Sequence, residues 1–251
     1  MIRSTAEHPV LRVATWNIHK GVQGLGPAKR LEIHNIGHAI EQLDADLVCL
    51  QEVRFVNRRE QRRFARWPEQ PQADFLAPEG YEPVYRTNAI TRHGEHGNAL
   101  LSRWPVLSHQ HEDISDHRFE QRGLLHAEVQ VAGRTVHALV VHLGLIPGSR
   151  ERQVAQLKHY IEREVPRDDA VIVAGDFNDW GSRLTHLLGH AGLHQFEEGR
   201  TPTYPSRLPL AQLDHVYARG LRPLSASVPR GRIWRQMSDH LPLVAEFALQ
   251  D

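Results

Sequence analysis

The octapeptide Val171-Ile172-Val173-Ala174-Gly175-Asp176-Phe177-Asn178 runs from apolar backbone straight into chemistry. Val171–Ala174 reads as a buried strand. Asp176 and Asn178 follow it two residues apart, so in extended chain they point the same way. The pattern recurs: Asn17 follows the apolar run Leu11–Thr15, Glu52 follows Leu47–Leu50, and His142 follows Thr135–Val141. Ligand sites in α/β sheets form at the carboxyl ends of strands, so these endings predict one converging site. Two polar groups instead precede their strands: Asp214 before His215–Tyr217, and Asp239-His240 before Leu243–Leu249. Amino ends share an edge with carboxyl ends only where those strands run antiparallel to the rest. One site holding all of these groups therefore requires a mixed sheet and argues against a doubly wound parallel fold.

Further strands are expected at Ala99–Leu101 and Leu124–Val131. A helix is expected over Ser149–Val165, where Val154, Leu157, Ile161 and Val165 fall on one face, with Ser149 as cap and Pro166 as stop. A second is expected from about Arg30 to Leu43 and a shorter third over Ser182–Leu188. Trp67–Pro83 carries four prolines and reads as a surface excursion. No short repeat or low-complexity tract interrupts the chain, so residues 1–251 are expected to form one α/β domain.

The 251 residues carry 30 basic and 30 acidic side chains, a formal net charge of zero. That balance excludes a polybasic mode of nucleic-acid binding but not local patches. Of the basic residues 27 are Arg and 3 are Lys, which codon bias explains as readily as bidentate phosphate recognition. Arg54–Arg66 holds six arginines against one acid, Glu60, and His215–Ser238 holds five arginines and no acid. Phe55, Phe64, Trp67 and Trp234 lie among them. Such runs form either a solvated face or an electrostatic funnel for a polyanion. The lone Cys49, inside an apolar run, excludes a disulfide framework and is expected to be a buried, inert thiol. No stretch has the roughly 20 apolar residues of a membrane helix. Met1–Pro9 lacks an apolar signal core, so a soluble, cytoplasmic protein is expected.

The residue types suit metal-assisted attack on phosphorus. Glu52 and Asp239 offer hard oxygen ligands of the kind Mg²⁺ takes, and Asn17 a neutral one. Of Asp176 and Asn178, one can orient or deprotonate a water while the other holds the oxygen it attacks. His142 and His240 can donate to charge on phosphate oxygens, and a carboxylate such as Asp214 would raise an imidazole's pKa and fix its tautomer. His126, alternating with Leu125 and Ala127, reads as solvent-facing. His34 and His38, off the apolar stripe of their helix, read the same way.

Thr15-Trp16-Asn17-Ile18, Leu50-Gln51-Glu52-Val53, Gly97-Asn98-Ala99-Leu100-Leu101-Ser102-Arg103, Val141-His142-Leu143, Gly175-Asp176-Phe177-Asn178, Leu213-Asp214-His215-Val216 and Ser238-Asp239-His240 follow one another in the chain. In this order they resemble the endonuclease/exonuclease/phosphatase superfamily. That group includes pancreatic-type deoxyribonuclease, abasic-site endonucleases, inositol-polyphosphate phosphatases, neutral sphingomyelinases and deadenylases. The resemblance spans about Leu11 to Phe247. It implies a four-layer α/β sandwich, two mixed β-sheets packed face to face with helices outside, and a phosphoric-ester hydrolase. By the same resemblance Glu52 and Asn17 hold Mg²⁺ or Mn²⁺ with Asp239 near it. Asp176 activates water, Asn178 positions it, His240 pairs with Asp214, and His142 sits at the scissile phosphate. Arg122 falls where nuclease members touch phosphate, and Arg54, just after Glu52, is a second candidate for that contact. The segment Thr91–His96 lacks the tyrosine that nuclease members carry there, and Glu95 is a candidate to orient His142. Val53-Arg54 replaces the Thr-Lys usual in abasic-site enzymes, which argues against a dedicated abasic-site function. The expected partner is a polyanionic phosphodiester, with nucleic acid, DNA or RNA, as first choice and no obligate protein partner. A phospholipid or sphingolipid headgroup is the alternative substrate, and a non-catalytic binding scaffold the alternative class.

Overall fold

Alternation along the first strand sets the architecture. In β1 (Val10–Asn17), Leu11 and Val13 enter one apolar cluster while Ala14 and Trp16 enter another. A strand buried on both faces reads as a continuous apolar run. The computed structural model describes residues 9–24, 26–181, 183–197, 199 and 201–249. Met1–His8 and Ser182, which figure in the expectations above, lie outside them.

After β1 come a two-residue hairpin, β2 (Val22–Gln23) and β3 (Arg30–Leu31), then α1 (Ile33–Leu43) and β4 (Leu47–Asn57). Two short helices follow, α2 (Arg58–Arg63) and α3 (Gln72–Leu76). The chain then meanders through β5 (Glu82–Thr91), β6 (Gly94–Ser102), β7 (Val106–Asp113), β8 (Gly123–Val131) and β9 (Arg134–His142). Next are α4 (Pro147–Glu164), β10 (Ala170–Asp176) and α5 (Arg183–Gly189). The last elements are β11 (Asp214–Arg219), β12 (Leu221–Ser227), α6 (Trp234–Met237) and β13 (Leu243–Leu249).

One sheet has the order β12-β13-β1-β4-β6-β5 and the other β11-β10-β9-β8-β7. The β1/β4 and β9/β10 pairs are parallel and every other pairing in the two sheets is antiparallel, so both are mixed, as expected. The inner faces share one core that includes Val13, Cys49, Leu100, Ala127, Val140, Ile172 and Phe247. Outside, α1, α3 and α6 cover the first sheet, and α4 and α5 the second. The four-layer α/β sandwich expected from the sequence is thus the observed fold. Cys49 is fully buried, and burial pushes its thiol up to about 12. Asn98 joins the sheets: its Nδ2 donates to Gly123 O at 2.9 Å and Val140 O at 3.0 Å. No helix among the described residues is long and apolar enough to cross a membrane.

The departures share a cause, which is that the sequence shows burial more clearly than shape. Strands β5, β7 and β12 were not expected. Each is a sheet edge, lacks the double-faced apolar run, and in β5 and β12 contains a proline. The proline-rich excursion is not merely surface. Its α3 buries Gln72, Ala73 and Leu76, and Gln72 accepts from Arg54 N at 2.8 Å and donates to Lys20 O at 3.0 Å. Residues 30–31 are strand rather than helix. Ser149 does not cap α4, which starts earlier with Pro147 in its first turn; Ser149 Oγ instead donates to Asp116 Oδ2 at 2.6 Å.

His126 is buried rather than solvent-facing. Its Nδ1 meets Tyr160 OH at 3.0 Å and its Nε2 meets His137 Nδ1 at 2.9 Å, while His137 Nε2 reaches Asp169 Oδ2 at 3.1 Å. Burial, then the neighbouring His137, pulls the His126 imidazole down to about 4 against the opposing pull of Glu128 and Glu164. This folded value lies below the unfolded 6.5, so the unfolded chain takes up this proton first on acidification. The stability His126 contributes is complete above pH 6.5 and is lost as the pH falls toward 4. Denaturant melts across that window should show a shallower loss for His126→Gln than for the parent; equal slopes would refute the assignment.

Candidate active site

Strand direction brings the polar residues to one edge. Parallel β9 and β10 end side by side, with His142 opposite Asp176, and antiparallel β11 begins there, with Asp214 opposite Asp176. In the other sheet β1 ends beside the middle of β4, with Asn17 opposite Gln51, while antiparallel β13 brings in Asp239 and His240 just ahead of Leu243. Across the gap, Asn17 Nδ2 donates to Asp176 Oδ2 at 3.0 Å. That oxygen also lies 3.5 Å from His142 Nε2 and 3.6 Å from His240 Nε2. Asp176 is 1% exposed, and its other oxygen accepts from Asn178 N at 2.9 Å. Burial pushes the Asp176 carboxyl up, and Asp214 adds to this against the pull of His240.

His240 is clamped from behind. Its Nδ1 donates to Asp214 Oδ2 at 2.8 Å, and Thr203 Oγ1 donates to the same oxygen at 2.6 Å. Burial alone would pull this imidazole down, but the carboxylates of Asp214 and Asp176 outweigh it and raise it well above its ordinary value. Trp16 Nε1 donates to His240 O at 2.9 Å, and the Tyr204 ring lies 4.9 Å from the imidazole. Burial, reinforced by Arg122, holds His142 well below its ordinary value. One imidazole is therefore cationic and the other neutral. Asn178 adopts φ +50 and fixes its amide through Nδ2 to Leu143 O at 2.9 Å.

Glu52 occupies a bulge between Leu50 and Val53, at φ +58, a left-handed conformation that swings its side chain out of strand alternation. It faces Lys20 Nζ at 2.8 Å. Burial alone would raise its carboxyl, but the Lys20 ammonium outweighs this and holds it well below the usual range. Asp239 Oδ2 lies 3.3 Å from His19 Nδ1. His19 and Lys20 are both left-handed, so the short turn after Asn17 presents an imidazole and an ammonium to two carboxylates. Glu52 and Asp239, whose charges act on each other, and the Asn17 amide offer hard oxygens of the kind a divalent ion takes. Asp176, Asp214 and His240 also bring one ligand atom each within 4.8 Å of one another. The hydrogen bonds from Thr203, Asn17 and Asn178 already use much of that group.

Arg122 lies beside the site, its charge acting on His142 and His96, with Nη2 donating to Glu120 Oε1 at 3.0 Å. Arg54 also borders Glu52, but its head sits between Glu60, 3.9 Å away, and the Trp67 ring, 5.7 Å away. No contact joins Glu95 to His142 among the described residues, whose nearest carboxylate is Asp176. The same segment supplies His96, held down to about 4 by burial, then by Lys20. The sequence reading missed His19, Lys20, His96 and Thr203. Lys20 carried one signal: it is one of three lysines and falls three residues after Asn17. Arg230 and Arg235 of the second arginine cluster line a cavity of about 460 Å³ with Leu241, next to His240 in the chain.

Residues 14–240 match the model of the "Endonuclease/Exonuclease/phosphatase family". The chain is 36% identical over 249 residues to "Uncharacterized protein YbhP" of Escherichia coli (strain K12), covering 95% of this chain and 96% of that one. Among solved structures, it superposes on D. rerio TDP2 complexed with single-strand DNA product at TM-score 0.69 and 18% identity, over 95% of this chain and 98% of that one. It superposes on the Bacteroides thetaiotaomicron mannosyl-6-phosphatase Bt3783 at TM-score 0.73 and 16% identity, over 95% and 99% of the two chains. Both likenesses concern the fold.

Asp214→Asn removes the charge behind His240 while keeping an acceptor for Thr203. The His240 imidazole should then titrate at least one pH unit lower by NMR, and turnover should fall by about 10²–10⁴. An unmoved titration would show that Asp214 does not set this proton.

Proposed function

The chain belongs to the endonuclease/exonuclease/phosphatase family, a group of phosphoric-ester hydrolases, and we propose that within it this protein hydrolyses phosphodiesters of nucleic acid with a divalent metal ion. The observation that carries the reading is the convergence of Asn17, His142 and His240 within 3.6 Å of one buried carboxylate oxygen of Asp176. A buried carboxyl raised toward neutrality suits a base that takes a proton from water. Each Asp176 oxygen has a second lone pair free for that proton after accepting from Asn17 or Asn178. Asn178, its amide plane fixed by Leu143 O, would hold the attacking water or a phosphate oxygen. His240, cationic and aimed by Asp214, would donate to negative charge developing on the phosphate. His142, neutral, would add a neutral donor, and Arg122 a fixed positive charge. Mg²⁺ or Mn²⁺ held by Glu52, Asp239 and Asn17 would supply Lewis-acid neutralisation of the phosphate oxygens when bound. Lys20 is then the ammonium that gives up Glu52.

Nucleic acid is preferred because arginine clusters flank both halves of the site, one just after Glu52 and the other leading into Asp239-His240. The solved relative bound to single-strand DNA shows that this fold can serve such a substrate.

DNA and RNA oligonucleotides, a small chromogenic diester, a phosphomonoester and phospholipid vesicles should be assayed in parallel with Mg²⁺ and Mn²⁺. Oligonucleotide cleavage should dominate, chelation should abolish it, and Asp176→Asn or Glu52→Gln should lower it by about 10² or more. Glu52→Gln should also weaken Mn²⁺ binding by calorimetry. Full hydrolysis by these variants, or a parent that binds no divalent ion and turns nothing over, would sink the reading.

A further inference from the structure

Beyond the bulge at Glu52, β4 continues as one edge of a three-stranded arm, with β6 in the middle, that projects past the site. Arg54 pairs with His96 and Asn57 with Gly94, while β5 follows β6 to the same end, Thr91 opposite Gly94. Helix α2 starts at once, capped by Asn57 Oδ1, which accepts from Glu60 N at 3.0 Å, and tied to the hairpin tip by Arg58 N donating to His93 O at 3.0 Å. The joined tip and helix form a concave surface of about 720 Å³ lined by Arg58, Arg59, Arg62, Arg63, Arg92 and His93. All six side chains are exposed, and neither a carboxylate nor an apolar side chain lines it. Glu60, the one acid of this cluster, is 5% exposed and turned away toward Lys29, at 3.2 Å, and Arg54. Among the described residues, Arg58, Arg59, Arg62 and Arg92 have no ion-pair partner.

This arrangement works against the chain that carries it. Arg58/Arg62 and Arg59/Arg63 are like-charge pairs four apart on a helix, and the first-turn arginines oppose the helix dipole. Within the helix only the buried Glu60 and the last-turn position of Arg62 and Arg63 offset this, and a bound polyanion would offset the rest. The surface also continues the site's own charge. Lys20, Glu52, Arg54 and Arg122 all act on His96, and His93 lies three residues from it toward the hairpin tip, roughly 10 Å at strand rise. That span suits successive phosphates of one chain rather than a single phosphate.

We propose that this arginine groove grips the sugar–phosphate backbone of a nucleic-acid strand a few nucleotides from the bond cut at Asp176. The proposal rests on the phosphodiesterase reading above and adds to it a preference for polymers over small diesters. A membrane face would need apolar side chains projecting from the groove. The aromatic residues beside it are instead stacked on partners, Phe64 on Trp67 at 6.5 Å and Phe55 on Tyr85 at 5.7 Å. Phe55, half exposed, offers a surface on which a base could stack.

The variant R58Q/R59Q/R62Q/R92Q tests the groove and leaves the catalytic cluster intact. Hydrolysis of bis(p-nitrophenyl) phosphate should be unchanged and thermal stability equal or higher, since repulsion is removed. Affinity for a fluorescent oligonucleotide of roughly 12 residues, measured by anisotropy in chelator, should fall at least about tenfold. The slope of log affinity against log salt should drop by nearly 3, about 0.7 for each lost phosphate contact. Unchanged oligonucleotide affinity with intact small-diester hydrolysis would overturn the groove and spare the site. Loss of binding to phosphatidylserine vesicles without loss of oligonucleotide binding would overturn it in favour of a membrane surface. A parent that cleaves no diester yet loses oligonucleotide binding in the variant would uphold the groove and remove the catalytic reading.

Discussion

The hydrogen bond from Asn17 to Asp176 spans the seam between two sheets, and the candidate site exists only because that seam stays closed. A carboxylate with 1% exposure is costly unless its oxygens are satisfied. Asp176 is met by Asn17 from one sheet and by Asn178 from its own chain, with two imidazoles close by. The apolar core behind it fixes the distance between sheets, and Asn98 repeats the bridge deeper in the sandwich by linking β6 to the backbones of β8 and β9. Packing therefore sets the spacing on which the chemistry depends.

Backbone strain is concentrated at the same place. Of the non-glycine residues with positive φ, His19, Lys20, Glu52 and Asn178 all belong to the site. Left-handed backbone at such residues is costly, of order 1–3 kcal/mol each, and persists only where the surroundings impose it. At Glu52 it turns a strand residue toward its neighbours, and at Asn178 it follows the fixed end of β10. The turn at His19 and Lys20 is held by Gln72, whose amide donates to Lys20 O from a helix 52 residues away.

Strand direction was legible from where Asp176 and Asp239-His240 stand relative to their apolar runs, because burial on both faces writes a strand plainly. That logic also brought Asn17, Glu52, His142, Asp214 and His240 to one edge. What escaped has little apolar signature. Edge strands β5, β7 and β12 bury one face at most. Gln72 is a polar residue buried by its hydrogen bonds, and His126 looked exposed because alternation cannot separate a polar residue in water from one paired under a helix. Lys20 and Thr203 act through contacts with Glu52 and Asp214 that no local spacing encodes, and the left-handed Glu52 breaks the alternation that sequence reading relies on.

The same edges bear on how copies of the chain meet one another. β12 carries Pro223 at its bulge, which cannot donate to an incoming strand. β11 already exchanges two backbone hydrogen bonds with His194, which occupies its outer side. β7 presents His109, His111 and Asp113 to solvent, and Arg86 of β5 donates to its backbone at His109 O. Three of the four sheet borders, β12, β11 and β7, thus carry a deterrent to strand addition. The site lies instead where strands of both sheets end, so the route to Asp176 passes the strand ends rather than a sheet border.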